Sequence, residues 1–268
     1  MKKTMAMMTV LMAWNGTALA APLTFNTALP VSRGEFIVRE QLVINESKGS
    51  RTETSIVSTL VYGVTPDFAL FGTMPYTNID TGTADMQGMG DSKMFGRYTV
   101  YTDDFQGGTF RIAPFAGVKL PTNQDNTGTD SWDMFGGLVA TYGSVAWEVD
   151  GQISYQANTE ANNFEAGDIA RADASLQYRL FPATLTATTD SFINGVLEAN
   201  LIHKDKNKAS GIENQNSGGT TLFLVPGLQY ATERYVLEAG LQIPVIQNLN
   251  GTALENDYIL HTGFRINF

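Results

Sequence analysis

The sequence predicts an all-β protein: a transmembrane, antiparallel, up-and-down β-barrel of about 12 strands, with short periplasmic turns and longer extracellular loops. Three observations carry that prediction. Strand-like runs with a period of two recur from Gly34 onward, the gaps between them alternate in length, and the last strand keeps one oily face up to Phe268. Successive side chains of a strand point to opposite faces, so this period gives each strand an apolar and a polar side. In a barrel that spans a bilayer, the apolar side meets lipid and the polar side lines a lumen.

The N-terminus comes first. Lys2 and Lys3 precede an apolar run from Met5 to Trp14, and Asn15 to Ala20 closes on Ala-Leu-Ala. This is the pattern of a signal peptide over residues 1–20, cleaved between Ala20 and Ala21. The run is too short to cross a bilayer as a helix, which takes about 20 residues. Residues 21–33 then form a segment that stays in the periplasm or enters the lumen, and residues 34–268 form the barrel.

Twelve runs read as strands: 34–45, 53–64, 68–78, 91–102, 109–120, 133–142, 145–156, 168–180, 191–203, 220–230, 235–246 and 258–268. Their lengths suit tilted strands that cross a bilayer in ~9–11 residues. Thr65-Pro66-Asp67, Gly143-Ser144 and Ala231 to Arg234 are short gaps, Asp103 to Gly108 is intermediate, and Phe181 to Asp190 is a long exception. Between them lie the polar gaps Asn78 to Gly90, Pro121 to Trp132, Ala157 to Gly167, Asp205 to Gly219 and Gln247 to Asp257. Pro114, Pro226 and Pro244 fall inside strands, where proline marks bulges or edges; a closed barrel has no edge, so bulges are expected.

Parity sorts the faces. In the seventh run Val145, Trp147, Val149, Ile153 and Tyr155 alternate with Glu148, Asp150, Gln152, Ser154 and Gln156. The inward set holds Arg39, Lys93, Arg97, Arg111, Lys119, Arg171, Arg179 and Arg265, against Glu35, Glu53, Asp91, Glu148, Asp150, Asp173, Glu198 and Glu238. His261 shares the inward parity. The lumen is therefore balanced in charge, and these side chains either pair across a packed interior or line a narrow polar path. The outward set holds one clear carboxylate, Glu40. Trp132, Tyr76, Tyr142, Trp147, Tyr155, Tyr178, Tyr230 and Tyr258 fit the aromatic girdles of a barrel.

Composition excludes several functions. Removing Lys2 and Lys3 takes the formal net charge from −10 to −12, which disfavours a nucleic-acid partner, since phosphates call for basic patches. With no cysteine the chain offers neither disulfides nor a thiolate metal site, and its two histidines leave little for a zinc site or a histidine-based catalytic centre. No cofactor is expected. Ser92 within Gly90-Asp91-Ser92 and His203 are the candidates for a lipase-type pair, but a serine nucleophile needs a positioned base and an orienting group. Ser92 has outward parity at a strand start, and His203 reads as a strand-end residue. Asp125 to Asp130 lacks the spacing and closing Glu of an EF-hand.

The final strand, apolar at alternate positions and ending in Phe268, resembles the C-terminal signature of bacterial outer-membrane barrels, which implies a partner in the barrel-assembly machinery. Tyr62-Gly63-Val64-Thr65-Pro66-Asp67 with Met74-Pro75-Tyr76, Gly88-Met89-Gly90-Asp91, and Gly117-Val118-Lys119-Leu120-Pro121-Thr122 carry a second resemblance. So do Pro226-Gly227-Leu228-Gln229-Tyr230, Leu241-Gln242-Ile243-Pro244-Val245 and Leu249-Asn250-Gly251. In order and spacing these resemble, over about residues 55–268, the family of outer-membrane transporters named after the meta-cleavage pathway of phenol degradation. The resemblance implies an outer-membrane channel for diffusion of small molecules, with aromatic or hydrophobic compounds as one candidate class. The rival readings are a structural or partner-binding barrel with a packed lumen, and an outer-membrane lipid hydrolase.

Overall fold

A computed structural model describes residues 21–125, 127–186 and 188–268; the signal-peptide expectation falls on residues outside that set. Twelve long strands run β1 (Phe36–Ser47), β2 (Arg51–Thr65), β3 (Phe68–Asp80), β4, β5 (Gly108–Leu120), β6 (Asp133–Ser144), β7 (Trp147–Ala157), β8 (Ile169–Phe181), β9 (Ser191–Lys204), β10 (Gly219–Thr232), β11 (Tyr235–Leu249) and β12 (Asn256–Asn267). The fourth strand is a path of three segments, Asp85–Met89, Ser92–Tyr98 and Tyr101–Phe105, of which the first two pair with β3 and the last two with β5.

Each strand pairs antiparallel with the next, and β12 returns to β1, so the sheet closes. Arg39 stands opposite Arg265 at the seam, and Phe36 and Phe268 exchange backbone bonds of 3.3 and 2.8 Å. Closure satisfies the backbone of every strand inside the sheet, which a hydrocarbon surrounding demands.

One end of the barrel, the turn end, is stitched by tight connections such as Gln106-Gly107 and Glu233-Arg234, with Gly107 at φ +85° in the left-handed region. The opposite, loop end carries residues 121–132, 158–168 and 205–218, where Phe164–Glu165, Lys208–Ala209 and Ile212–Glu213 form a small separate sheet. Two expected long loops are shorter than their sequence suggests. Asn78, Ile79 and Asp80 pair with Gln87, Met86 and Asp85, and β11 runs on to Leu249. Polar Asn78, Asp80, Asp85 and Gln87 extend the ladder there, so the outward positions are no longer apolar even though Thr77 and Ile79 stay buried on the inner face.

The two faces separate cleanly. Leu241 is 37 % exposed and its neighbour Gln242 only 4 %. The eight aromatics expected in girdles are all exposed, and at the turn end Phe105, Tyr142 and Trp147 stack in a row at 5.3 and 5.1 Å. The outward carboxylate Glu40 accepts a 2.7 Å bond from Ser58 on the adjoining strand. Of the three strand prolines, Pro244 lies at a bulge, where the β10–β11 register shifts. Pro114 faces the break in β4, where the register against β5 slips by one between Arg97–Phe115 and Tyr101–Ile112, while Pro226 sits opposite Leu197 in unbroken register. A proline removes a ladder donor without adding a residue, so the pairs flanking Pro226 hold the alignment.

Candidate functional site

The site is the lumen, and its main occupant is the chain itself. Residues from Ala21 to Val31 cross the inside of the barrel as a strap, bent at Leu23 to Phe25 and without regular structure beyond, with Leu23, Ala28, Leu29 and Val31 buried. The strap has no strand partner, so its backbone groups must be paired by lumen side chains. They are paired in a regular way. Carboxylate, amide and hydroxyl oxygens of one wall accept its N–H groups: Glu198 from Leu23 (2.5 Å), Gln152 from Asn26 (3.3 Å) and Thr141 from Ala28 (2.7 Å). Cationic and amide nitrogens take its carbonyls. Arg39 donates to Pro22 and Leu23 at 3.1 Å each, Gln229 donates to Ala21 at 2.7 Å, and Arg97 donates to Thr27 and Leu29.

Apolar side chains of the strap fill sockets in the wall. Leu23 packs on Val196 and Val225, Ala28 on Ala113, Phe115 and Val139, and Val31 on Val61 and Ala69. Two close approaches require glycine. A Cβ on Gly227 would lie 2.4 Å from the Leu23 side chain, and one on Gly63 would lie 2.0 Å from the Ser32 carbonyl oxygen.

The wall of β3 to β6 is aromatic. Phe71 and Phe95 stack at 4.3 Å, Phe115 and Phe135 approach Phe95 at 6.0 and 5.8 Å, and the Arg97 guanidinium lies 5.1 Å from the centre of the Phe71 ring. Lys93 stands over Phe135 at 5.6 Å and donates to Gln156 at 3.5 Å. Reading charge alone along these strands misses the four rings, although Phe95 shares the inward parity of Lys93 and Arg97 and so carried a signal. Asp104, which pairs with Arg111 at 3.1 Å, was missed because it lies in an expected turn.

The wall of β7 to β9 is polar. Asp150 accepts from Thr141 (2.5 Å) and Gln177 (3.2 Å), with Glu148 two residues away on the same face. Asp173 accepts from Arg171, Asn200 and Gln152 at 3.0, 3.0 and 3.2 Å. Glu238 pairs with Arg39 at 2.7 Å, and His261 shares a 3.0 Å bond with Gln242. Near the loop end Lys119 lies 3.5 Å from Asp91 and contacts Asp133, which ties residues 129–133 to the barrel rim. Glu53 and Arg179 stand at the rims: Glu53 lies 3.6 Å from Arg51, and Arg179 donates to the Val145 and Pro182 carbonyls at 2.5 and 3.1 Å.

Between the strap and the turn end lies a cavity of about 1320 Å³. Arg39, Arg97, Arg111, Arg234 and Arg265 border it against Glu35, Asp104 and Glu233, with the rings of Phe71 and Phe95 on one side.

A family model described as "Putative MetA-pathway of phenol degradation" matches residues 34–245. The chain belongs to this family. Among solved structures it is similar to an outer-membrane channel from Pseudomonas putida F1, with a TM-score of 0.68 at 15 % identity, covering 93 % of this chain and 100 % of that one. The NanC porin gives a TM-score of 0.52 at 12 % identity, covering 85 % and 98 % of the two chains. The β-domain of the Bordetella autotransporter BrkA gives 0.50 at 12 % identity, covering 88 % and 100 %. Nothing among curated proteins matches. A closed barrel of this kind, with its lipid-facing belt and aromatic girdle, places this family member in the outer membrane.

The remaining candidates stand apart. Ser92 accepts a 2.9 Å bond from Thr122 on the β4 side, while His203 on β9 shares a 2.8 Å bond with Thr220 and lies 3.3 Å from Asp205. The described part of the Asp125 to Asp130 loop is tied down by Asp91, which accepts the Thr129 N–H at 2.8 Å; Asn126 lies outside the described residues.

Proposed function

We propose that the chain is an outer-membrane channel through which small molecules diffuse, with the lumen residues as its lining and the strap as the element that limits flow. The observation that carries this reading is the cavity of about 1320 Å³ at the turn end, bounded on its inner side by the strap. It exceeds the ~300–1,000 Å³ of a typical small-molecule pocket. The Phe71 and Phe95 rings beside Arg39 and Arg97 suit a permeant with an apolar, aromatic body and a polar edge, because an arginine also stacks on such faces. Membership of a family named for phenol degradation supports the same substrate class, and likeness to a bacterial channel supports passage without chemistry. We also read the outward Phe268, which is 73 % exposed, as the end recognised by the barrel-assembly machinery.

One observation favours a second reading. The strap is held by bonds at nearly every residue from Ala21 to Leu29, as in a barrel whose packed interior is structural and whose loops meet a partner. Liposome swelling separates the two. Purified protein in liposomes should admit phenol-sized solutes and exclude larger oligosaccharides; impermeability to every solute in the panel would favour the packed barrel.

A further inference from the structure

We infer that the inner wall of β7 and β8 holds a binding site for a hard metal cation, built from Glu148, Asp150, Ser175 and Gln177. Glu148 faces Gln177 across the ladder, and Asp150 faces Ser175 two residues further along the same inner face. Directly opposed residues bring their Cβ atoms to about 4.5–5.5 Å, so the four oxygen-bearing side chains share one patch. All four are more than nine-tenths buried, at 7, 1, 3 and 1 % exposure for Glu148, Asp150, Ser175 and Gln177.

The acceptors in this patch outnumber the donors. Each oxygen of Asp150 accepts one bond, from Thr141 and from Gln177. Glu148 Oε1, Gln177 Oε1 and Ser175 Oγ have no hydrogen-bond partner. Buried polar atoms are almost always paired, so three unpaired oxygens on adjoining residues point to something that accepts electron pairs from all of them. Water satisfies individual acceptors, but it neither bridges them nor offsets the charge of the two carboxyl groups. A cation does both.

The ligand types select the ion. Carboxylate, amide carbonyl and hydroxyl oxygens are hard donors, and calcium takes six to eight of them in flexible geometry, with water completing the set. The patch offers no thiolate or imidazole for a softer metal. Arg265 acts on Glu148 across the lumen, so the patch sets two carboxyl groups against one guanidinium. Thr141, which bonds Asp150, also accepts the Ala28 N–H of the strap, so the ion would sit at the strap's foot.

The test is calcium titration of the purified, chelator-treated full chain in detergent micelles, followed by calorimetry; it involves no transport and is independent of the channel reading. Wild type should show one saturable site. Glu148→Gln should weaken calcium by about tenfold or more, because affinity follows the charge count of the ligands. Ser175→Ala, the mildest change, should weaken it by about threefold and keeps the test available where the carboxylate variant fails to assemble. Heat-modifiable gel migration identifies closed barrels. Absence of saturable binding in wild type, or wild-type affinity in a folded Glu148→Gln or Ser175→Ala barrel, would overturn the assignment.

Discussion

The aromatic wall of β3 to β6 and the polar wall of β7 to β9 hold the same strap by different means. On the first, Ala28 rests against Phe115 and Val139, and Arg97 clasps two carbonyls. On the second, Glu198 and Gln152 receive N–H groups and contribute little apolar contact, and Thr141 on β6, where the two walls meet, receives the Ala28 N–H. A chain without a strand partner exposes both donors and acceptors. A lumen that binds it therefore needs acceptors on one side and donors on the other, with apolar sockets where its side chains fall. The difference between the walls follows from the strap's own polarity pattern.

Substitutions can break this comparison, beginning with the division between inside and outside on which it rests. Leu241→Arg places a charge toward lipid near mid-strand, at a cost of ~2–4 kcal/mol, whereas Gln242→Arg points into a charged lumen. Register cannot slip by one residue without turning every side chain to the wrong face. Folded protein in outer-membrane fractions should fall steeply for Leu241→Arg and much less for Gln242→Arg; equal levels would mean the faces are misassigned.

Next come the two ends of the grip. Arg97→Ala leaves the Thr27 and Leu29 carbonyls without their charged donor, and bonds to charged groups contribute about 1.5–3 kcal/mol. Amide hydrogen exchange of strap residues 27–31 should accelerate, with those near Leu23 less affected. Thr141→Val removes a neutral acceptor for the Ala28 N–H and should loosen the strap by only ~1 kcal/mol. If the Thr141 change loosens the strap more than the Arg97 change, the division between charged donor and neutral acceptor is reversed.

The barrel was legible in the sequence because lipid on one side and water on the other impose a period of two that nothing else in the chain mimics. Strand β11 shows why: Tyr235, Leu237, Leu241 and Ile243 face out while Glu238 and Gln242 face in. The ladder ends were less legible, since Asn78 and Gln87 pair where the outward positions are polar instead of apolar. The strap was not legible at all as a contact. Leu23 meets Glu198 across 175 residues of sequence, through a side chain and without a ladder, and no periodicity encodes such a meeting. Phe71, Phe95, Phe115 and Phe135 were within reach by parity, but phenylalanine on an inner face contradicts the expectation of a polar lumen.

On the proposed function the strap, and not the barrel wall, limits flow through the lumen. Single-channel recording in planar bilayers tests it directly, comparing wild type with a variant in which residues 21–31 are replaced by a Gly-Ser repeat of equal length. The repeat keeps the segment's reach but loses Leu23, Ala28 and Val31, the side chains that seat in the wall. The variant should show a unit conductance several times that of wild type. Equal conductance in the two proteins, or silence in both with the barrel shown to be closed and inserted, would contradict the account.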